Sequence, residues 1–281
     1  MIQLGEFALH PLNDGFFRLD GGAMFGVVPR VLWKRRTTPD RTNRIKLGLR
    51  TVLLHTPRGY TLIDTGIGRR EDAKFRKIYG VAQKRPGLLA RLAELGVRRE
   101  EVTTVVLTHL HFDHGGGNTM QVEGRYVPTF PKARYVVQRG EWDDATHPTE
   151  RTSASYLPES FLPLEEARQV DFVDGEAEVA PGIRVARTGG HTKNHQIVLL
   201  ESAGRRAVYW GDLIPTTAHV DYPYIMGYDL YPTETLAKKK EWMPQAVEGE
   251  WLQFWEHDPL VACGTVYRDE GRFRIRPVGA P

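Results

Sequence analysis

The stretch Thr108-His109-Leu110-His111-Phe112-Asp113-His114-Gly115-Gly116-Gly117 brings three histidines and an aspartate together just before three glycines. Residues two apart on a segment that leaves a strand point to the same side, so His109 and His111 are expected to bind one ion together. Asp113 and His114 come on the next turn, where they would reach a second ion. The glycines are expected to let the backbone pass close to the ions and begin a helix. This segment predicts a metal centre with two ions.

The sequence around this segment predicts a rigid support of strands and helices. Residues 102–107 are apolar and β-branched, which is typical of a buried strand that leads into the metal-binding segment. Residues 51–55 and 60–64 predict the two strands of a hairpin. Leucines at helical spacing predict a helix that ends near Gly96, and a second helix is predicted over 233–246 with Thr233 as its N-cap.

Three further ionisable residues follow predicted strands, each beside glycine or proline. His191 comes after a strand at 183–186, Asp212 follows a strand at 207–210, and His257 follows an aromatic run. Imidazole and carboxylate ligands favour zinc, with iron, cobalt or manganese as alternatives, and catalytic sites leave a position open for water. We therefore expect two divalent transition-metal ions as cofactors.

These motifs resemble those of the metallo-β-lactamase-fold hydrolases, and they occur in that family's order from about residue 50 to 260. The matching residues are Leu62-Ile63-Asp64-Thr65-Gly66, Thr108-His109-Leu110-His111-Phe112-Asp113-His114, Gly190-His191-Thr192, Gly211-Asp212 and His257. The resemblance implies an α/β fold, a four-layer αββα sandwich. It also implies a single domain over residues 1–281, in which we expect a long N-terminal loop at about 27–47.

The resemblance further implies how the ligands are shared between the two ions. Asp212 would bridge both ions together with a water or hydroxide, and Asp64 would support the ligand loops without binding metal. The first ion would be held by His109, His111 and His191. The second would be held by Asp113, His114 and His257.

Within the family, the strand-rich end of the chain looks like the branch of lactonases and phosphotriesterases. The implied function is a hydrolase that opens lactones such as N-acyl-homoserine lactones, the bacterial quorum signals, by attack of a metal-bridging hydroxide. Asp113 is the catalytic residue expected to carry the proton to the departing alkoxide. Alternatives are a phosphotriester, phosphodiester or general ester hydrolase, a redox di-iron protein, and a non-catalytic metal-binding protein. His111 stands where redox relatives carry glutamate, which favours hydrolysis.

Four residues are predicted to contact the substrate: Phe25, Phe112, His219 and Tyr222. Some lactonases of this fold place a tyrosine three residues after the bridging aspartate, where it steadies the developing oxyanion. Here that position is Pro215. Tyr222, Tyr224 and His219 are the candidates to replace it.

The resemblance implies a small-molecule ester or lactone as the partner, and composition argues against other classes of partner. Net charge is only +3, and the basic runs Lys34-Arg35-Arg36 and Lys238-Lys239-Lys240 predict a solvated loop and helix face, so no nucleic-acid partner is expected. The sequence contains no run of eighteen apolar residues, so no membrane span is predicted. The single Cys263 and the absence of a recognisable secretory signal favour the cytoplasm. The basic loop at 34–46 is a candidate contact with a second copy of the chain, so a homodimer is a possible assembly.

Overall fold

The computed structural model describes residues 1–69, 72–81 and 87–278, and most of its strands lie in two seven-stranded sheets. The strands are β1 (Ile2–Leu4), β2 (Phe7–Asp20), β3 (Arg44–Thr56), β4 (Gly59–Ile63), β5 (Val102–Val106), β6 (Thr119–Val122), β7 (Arg125–Pro128), β8 (Arg134–Gln138), β9 (Val170–Val173), β10 (Ala177–Ala180), β11 (Ile183–Arg187), β12 (Gln196–Ser202), β13 (Arg205–Tyr209), β14 (Leu252–Phe254), β15 (Cys263–Asp269) and β16 (Arg272–Pro277).

Helices connect these strands and cover the outer faces of the sheets. They are α1 (Gly21–Phe25), α2 (Arg30–Trp33), α3 (Ala73–Ile78), α4 (Leu88–Glu94), α5 (Phe112–Gly115), α6 (Arg139–Thr146), α7 (Leu162–Glu166) and α8 (Pro232–Glu248), with short 3-10 turns at Arg99–Glu101, Gly116–Asn118, Pro158–Ser160, Gly211–Leu213 and Thr217–His219.

The first sheet has the order β1-β2-β3-β4-β5-β8-β9, and the second runs in sequence order from β10 to β16. Strands β1 to β4 pair antiparallel, whereas β5 lies parallel to both β4 and β8. In the second sheet β13 and β14 are parallel neighbours, and α8 lies between them in the chain. Parallel strands end at the same edge of a sheet, so the segments that follow β13 and β14 emerge side by side.

Three apolar clusters make the layers of the fold. The cluster between the sheets joins side chains of both, such as Val106 and Val198. On the outer face of the first sheet, Leu92 of α4 and Trp142 of α6 pack against it, and Met243 of α8 packs on the outer face of the second. Sheets that bury both faces in this way give the predicted four-layer αββα sandwich, which is confirmed.

The N-terminal loop is shorter than predicted. Within the predicted range 27–47, Arg30–Trp33 forms α2 and Arg44 already begins β3. Asp40 accounts for this early strand start, because its side chain accepts hydrogen bonds from the backbone amides of Thr42 and Arg44 and turns the chain back into the sheet. The structured segment around α2 is polar in sequence, and that polarity suggested a loop.

Helix α8 also differs from its prediction, at its start and on its surface. It begins at Pro232, with Tyr231 as N-cap, because proline is suited to the first turn of a helix. The run Lys238-Lys239-Lys240 is not wholly a solvated face, since Lys239 is fully buried. Consecutive residues lie about 100° apart around a helix, so a three-residue run spans about 200° and its members cannot all lie on one solvated face.

Among the described residues, no helix combines the length and the apolar character that crossing a membrane requires.

Candidate metal centre

Loops that follow strands of both sheets bring the seven predicted ligands together. The first sheet supplies His109, His111, Asp113 and His114 after β5, and the second supplies His191 before β12, Asp212 after β13 and His257 after β14. Three ligand groups each have their donor atoms within 4.8 Å of one another, namely His109, His111 and His191; Asp113, His114 and His257; and His109, His114 and Asp212. Two of these groups contain the same residues as the two sets that the resemblance implied, and the third joins a member of each set to Asp212.

Asp212 lies between the two groups of ligands. Its Oδ2 is 3.1 Å from Nε2 of His191 and 3.4 Å from Nε2 of His114, while its Oδ1 is 3.2 Å from Nε2 of His257. Both groups are therefore joined through one carboxylate. A carboxylate that bridged two cations would need to stand in this position.

Contacts between the donor atoms show that the site suits cations. Nε2 of His257 faces Nε2 of His114 at 3.1 Å, and Nε2 of His191 faces Nδ1 of His111 at 3.0 Å. Nε2 of His109 and Oδ1 of Asp212 are buried and have no hydrogen-bond partner among the described residues. Buried polar atoms rarely go unpaired, and imidazole nitrogens that converge in this way are satisfied when their lone pairs point to a cation. The donor set thus fits two divalent transition-metal ions.

Charges inside this buried site shift the proton affinities of its ligands strongly. Burial lowers the pKa of His109 and His111 well below the usual value, and neighbouring histidines act in the same direction. Burial also lowers the pKa of His114, but the carboxylates of Glu256 and Asp212 outweigh it and raise that pKa well above its usual value. Metal ions compete with protons for these nitrogens, so binding them would release protons.

Asp64 follows the adjacent strand and supports the ligand segment, and its donor atom forms a further close group with those of His114 and Glu256. Its Oδ1 accepts a hydrogen bond from the backbone amide of Thr108 at 2.7 Å, and its Oδ2 accepts one from the Thr108 hydroxyl at 2.8 Å. Asp64 has a φ of 54°, a conformation uncommon for residues other than glycine. Such strain concentrates at functional sites, where surrounding contacts hold it.

The glycines after the ligands serve a different purpose from the predicted one. Helix α5 begins at Phe112, ahead of them, and Gly116 and Gly117 lie against the loop at residues 65–68. A Cβ on Gly117 would lie 2.3 Å from the carbonyl oxygen of Thr65, and one on Gly116 would lie 2.4 Å from that of Ile67. Two backbone segments therefore pass each other where side chains have no room.

Sequence reasoning gave no role to two buried carboxylates that hold the ligand loops. Glu141 accepts hydrogen bonds from the backbone amide of Leu110 and the hydroxyl of Thr192, and so joins the loops of His109 and His191. Asp229 contacts Nδ1 of His191 at 3.0 Å. Neither lies in a motif, and their contacts depend on chain segments far away in sequence. His195 also supports the site, since it accepts a hydrogen bond from the backbone amide of Asp212 at 3.1 Å.

A cavity of about 290 Å³ opens above the ligands. Its floor contains the metal-ligand residues His111, Asp113, His191, Asp212 and His257, and its walls are Leu19, Met24, Tyr79, Phe112, Arg151, Thr152, Ser155, Met226, Gly227, Tyr228 and Leu230. This volume is at the lower end of the range for small-molecule sites. The cavity suits a small substrate.

Of the four predicted substrate contacts, Phe112 lines this cavity and the other three do not. Phe25 is buried behind the wall, stacked on His219 with ring centroids 4.6 Å apart, and His219 is held by Met24 and Thr216. Tyr222 packs on the edge of Phe273. Adjacent residues on a helical turn face different ways, so Met24 of α1 reaches the cavity and its neighbour Phe25 does not.

Two tyrosines that the sequence did not single out line the cavity instead. Burial raises the pKa of Tyr79, and the charge of Asp113 adds to the shift. Burial raises the pKa of Tyr228 to about 12, with contributions from Asp20, Tyr79 and Asp113. Both phenols thus stay protonated at neutral pH and can donate hydrogen bonds. Tyr222, Tyr224 and His219, which were considered as replacements for the tyrosine missing at Pro215, are not among the lining residues.

The comparisons with known proteins agree with this geometry. The sequence profile of the Metallo-beta-lactamase superfamily matches residues 50–245. An N-acyl homoserine lactonase from a Bacillus species is 31% identical over 159 residues, which are 53% of this chain and 57% of that protein. The lactonase from Bacillus cereus is 28% identical over 169 residues, 57% of this chain and 61% of that protein. The chain thus spans less than two thirds of the length of these curated relatives.

Solved structures resemble the whole chain. A probable metal-dependent hydrolase from Staphylococcus aureus has a TM-score of 0.90 and 30% identity, covering 99% of this chain and 100% of its own. AidC, a dizinc quorum-quenching lactonase, has a TM-score of 0.79 and 22% identity, covering 99% of this chain and 96% of its own. The second likeness concerns the fold alone.

Proposed function

From the premise that the chain belongs to the metallo-beta-lactamase superfamily, we propose that it is a metal-dependent hydrolase that opens lactone rings, with N-acyl-homoserine lactones as the first substrate class to test. The observation that carries the proposal is the position of Asp212, whose two carboxylate oxygens contact histidines of both ligand groups. Relatives named as N-acyl homoserine lactonases support the substrate class.

In this proposal each ion position is held by residues of both sheets. His109, His111 and His191 hold the first position, and Asp113, His114 and His257 hold the second, while Asp212 serves both. When bound, a pair of divalent ions supplies an acidified water as nucleophile and polarises the substrate carbonyl. The metal that suits this donor set best is zinc, with iron, cobalt and manganese as alternatives.

Asp113 is the residue that we expect to move a proton. It lines the cavity, and its Oδ2 lies 3.5 Å from Nε2 of His257. Addition of water to the carbonyl carbon and cleavage of the ring C–O bond leave an alkoxide, which needs one proton. The Asp113 carboxyl takes that proton from the water and delivers it to the alkoxide oxygen, so the ring-opened product is a hydroxy acid.

The protonated phenols of Tyr79 and Tyr228 are proposed to donate hydrogen bonds to the substrate. Both line the cavity beside Asp113, which contributes to the raised pKa of each. A donor aimed at the oxygen where negative charge develops stabilises the transition state more than the ground state. These phenols would take over the role of the tyrosine that some lactonases of this fold carry at the position of Pro215.

The walls of the cavity favour a short acyl chain. Leu19, Met24, Phe112, Met226 and Leu230 form an apolar surface within a volume of about 290 Å³. Burial of methylene groups on such a surface contributes about 0.8 kcal/mol for each group, so affinity should rise with chain length until the cavity is filled. Thr152 and Ser155 supply hydroxyls for the amide or ring oxygens.

Arg151 supports a second candidate, the phosphodiesters. Its guanidinium lines the cavity, and Nη2 lies 3.4 Å from the carbonyl oxygen of Gly227. Guanidinium groups bind phosphate oxygens well, and the same ion pair serves phosphoryl chemistry. Aryl phosphotriesters and simple esters belong in the same comparison.

The test is a substrate panel with the full chain loaded with zinc. It contains acyl-homoserine lactones of increasing chain length, an aryl ester, an aryl phosphotriester and an aryl phosphodiester. The lactone proposal predicts the highest kcat/KM for a short-chain lactone. Activity on phosphates alone overturns it in favour of the second candidate, and full metal loading without turnover of any substrate favours a non-catalytic metal-binding protein.

A further inference from the structure

One imidazole in each ion position has a buried carboxylate on the nitrogen that faces away from the ions. In the first position, Oδ1 of Asp229 lies 3.0 Å from Nδ1 of His191. In the second, Oε2 of Glu256 lies 2.7 Å from Nδ1 of His114. The Nε2 atoms of both histidines face Asp212. Because Nε2 faces the ion position, the proton of each ring belongs on Nδ1, where the carboxylate accepts it.

Glu256 is enclosed among residues of both sheets. It is fully buried, precedes the ligand His257, and its Oε2 also lies 2.6 Å from the hydroxyl of Tyr209. The backbone amide of Arg50 donates to its carbonyl oxygen and fixes the segment against β3. Its Oε1 is buried and has no hydrogen-bond partner among the described residues. A buried carboxylate of this kind is costly unless a cation lies close by.

Asp64 is the other carboxylate near Nδ1 of His114, and both of its oxygens also accept hydrogen bonds from Thr108. Its Oδ1 and Oδ2 accept hydrogen bonds from Thr108 at 2.7 and 2.8 Å, whereas its Oδ2 is 3.1 Å from the imidazole nitrogen. Glu256 makes the shorter contact and has fewer donors. The hydrogen-bond direction of Nδ1 is met at Asp64, while the shorter distance and the smaller number of competing donors favour Glu256, so the two carboxylates share the Nδ1 side of the imidazole.

We propose that Glu256 is a positioning residue for the second ion: its carboxylate, 2.7 Å from Nδ1 of His114, shares the Nδ1 proton with Asp64, helps to turn Nε2 towards that ion, and raises the affinity of the second position alone. The inference rests on the proposed pair of ion positions. A histidine that donates its remote N–H to a carboxylate is a more basic and better oriented ligand, and loss of such a partner lowers metal affinity by about 10- to 100-fold.

Asp229 provides a matched control in the same chain. It contacts a ligand of the first position, and its Oδ2 accepts a hydrogen bond from the hydroxyl of Thr235 at 2.7 Å. Glu256 and Asp229 are thus two buried carboxylates that act on different ions. Their isosteric amide variants should affect different positions.

The experiment measures zinc affinity in the metal-free full chain by competition with a chromogenic chelator. E256Q is expected to lower the affinity of one of the two equivalents by about 10- to 100-fold and to leave the other within about threefold. D229N is expected to do the same for the other equivalent. Single-position backgrounds identify the ions: H111A keeps the second position, where E256Q should weaken binding, and H257A keeps the first, where E256Q should have no effect.

Folding is checked by the thermal unfolding of each metal-free variant, and E256D serves as a second variant that keeps the charge. Recovery of most of the lost affinity in E256D supports the proposal. Unchanged zinc binding in E256Q, or equal weakening of both equivalents, overturns it while the two-ion site stands. If the unaltered chain binds fewer than two zinc ions, the proposed function itself is wrong.

Discussion

The ammonium nitrogen of Lys239 donates a hydrogen bond to the backbone carbonyl oxygen of His219 over 2.6 Å, inside the protein. The same nitrogen donates to the carbonyl oxygens of Asp221 at 2.8 Å and Tyr224 at 2.9 Å. One lysine of α8 thus holds the segment that leads to Met226 and Tyr228 of the cavity wall. Three carbonyls use all three N–H donors of the ammonium group.

Stability should depend on pH through Lys239. Burial lowers the pKa of Lys239 to about 7, against an unfolded value of about 10.4. Below pH 7 the lysine is charged in both states, and the folded state carries the full cost of burying the charge. Between pH 7 and 10 the folded state releases the proton while the unfolded state keeps it, so stability rises with pH.

The free energy of unfolding of the native chain minus that of K239M should therefore increase from pH 7 to 9.5, by at most about 1.4 kcal/mol per pH unit. Urea titrations at pH 6.5, 7.5, 8.5 and 9.5 measure it. K238M, at a partly exposed neighbour that pairs with Glu241, is the control without such a trend. A constant difference for K239M would contradict the assignment.

Replacement of Asp113 with Asn should lower kcat by about 10²- to 10⁴-fold on lactones, because the amide cannot carry a proton to the departing alkoxide. The loss should be much smaller with an aryl ester, whose phenolate leaves without a proton. Elemental analysis must show two ions in the variant. Equal losses on both substrates would show that Asp113 does not protonate the leaving group.

The two cavity tyrosines should each contribute to the reaction. Y79F and Y228F remove only a hydroxyl. The variant that lacks the donor to the developing oxyanion should show a kcat lowered by about 10- to 1000-fold. Y222F changes a tyrosine packed on Phe273, outside the cavity, and should stay within twofold. Steady-state kinetics on one lactone measure all three. Full activity of the double variant Y79F/Y228F would exclude both phenols.

Alanine at Gly117 should destabilise the fold and disturb metal binding together. A Cβ there would lie 2.3 Å from the carbonyl oxygen of Thr65, and Thr65 donates its backbone N–H to the carbonyl of His114 at 2.7 Å. We expect a loss of at least about 2 kcal/mol in unfolding free energy and fewer bound ions. Gly124 has open space around it, so G124A should lose only about 1 kcal/mol and no metal. Similar effects of the two variants would refute the crowding argument.

The ligand set was accessible to sequence reasoning because its chemistry is local. Histidines and carboxylates beside glycine at strand ends carry a signal within a few residues, as at His191 and Asp212, and short apolar runs rich in β-branched residues mark the strands. Supporting residues such as Glu141 and Asp229 carry none, since their partners are distant in the chain. Their role depends on how the two sheets pack.

The substrate contacts were harder to predict for a related reason. Phe25 and His219 are an aromatic pair near the site, yet they stack on each other behind the cavity wall. Met24, the sequence neighbour of Phe25, lines the cavity instead. Which of two adjacent side chains faces a cavity is decided by the path of the backbone, and composition does not describe that path.

The ligands of one ion position are spread widely along the chain, since His114 and His257 lie 143 residues apart. On a ribosome that adds about 5–20 residues each second, the first ligands therefore wait on the order of ten seconds for the last one. A cation that met the histidine-rich segment early would have an incomplete coordination shell and would exchange. If the ions bind as proposed, we expect the choice between competing metals to be made late, after His257 has emerged and the second sheet has packed against the first.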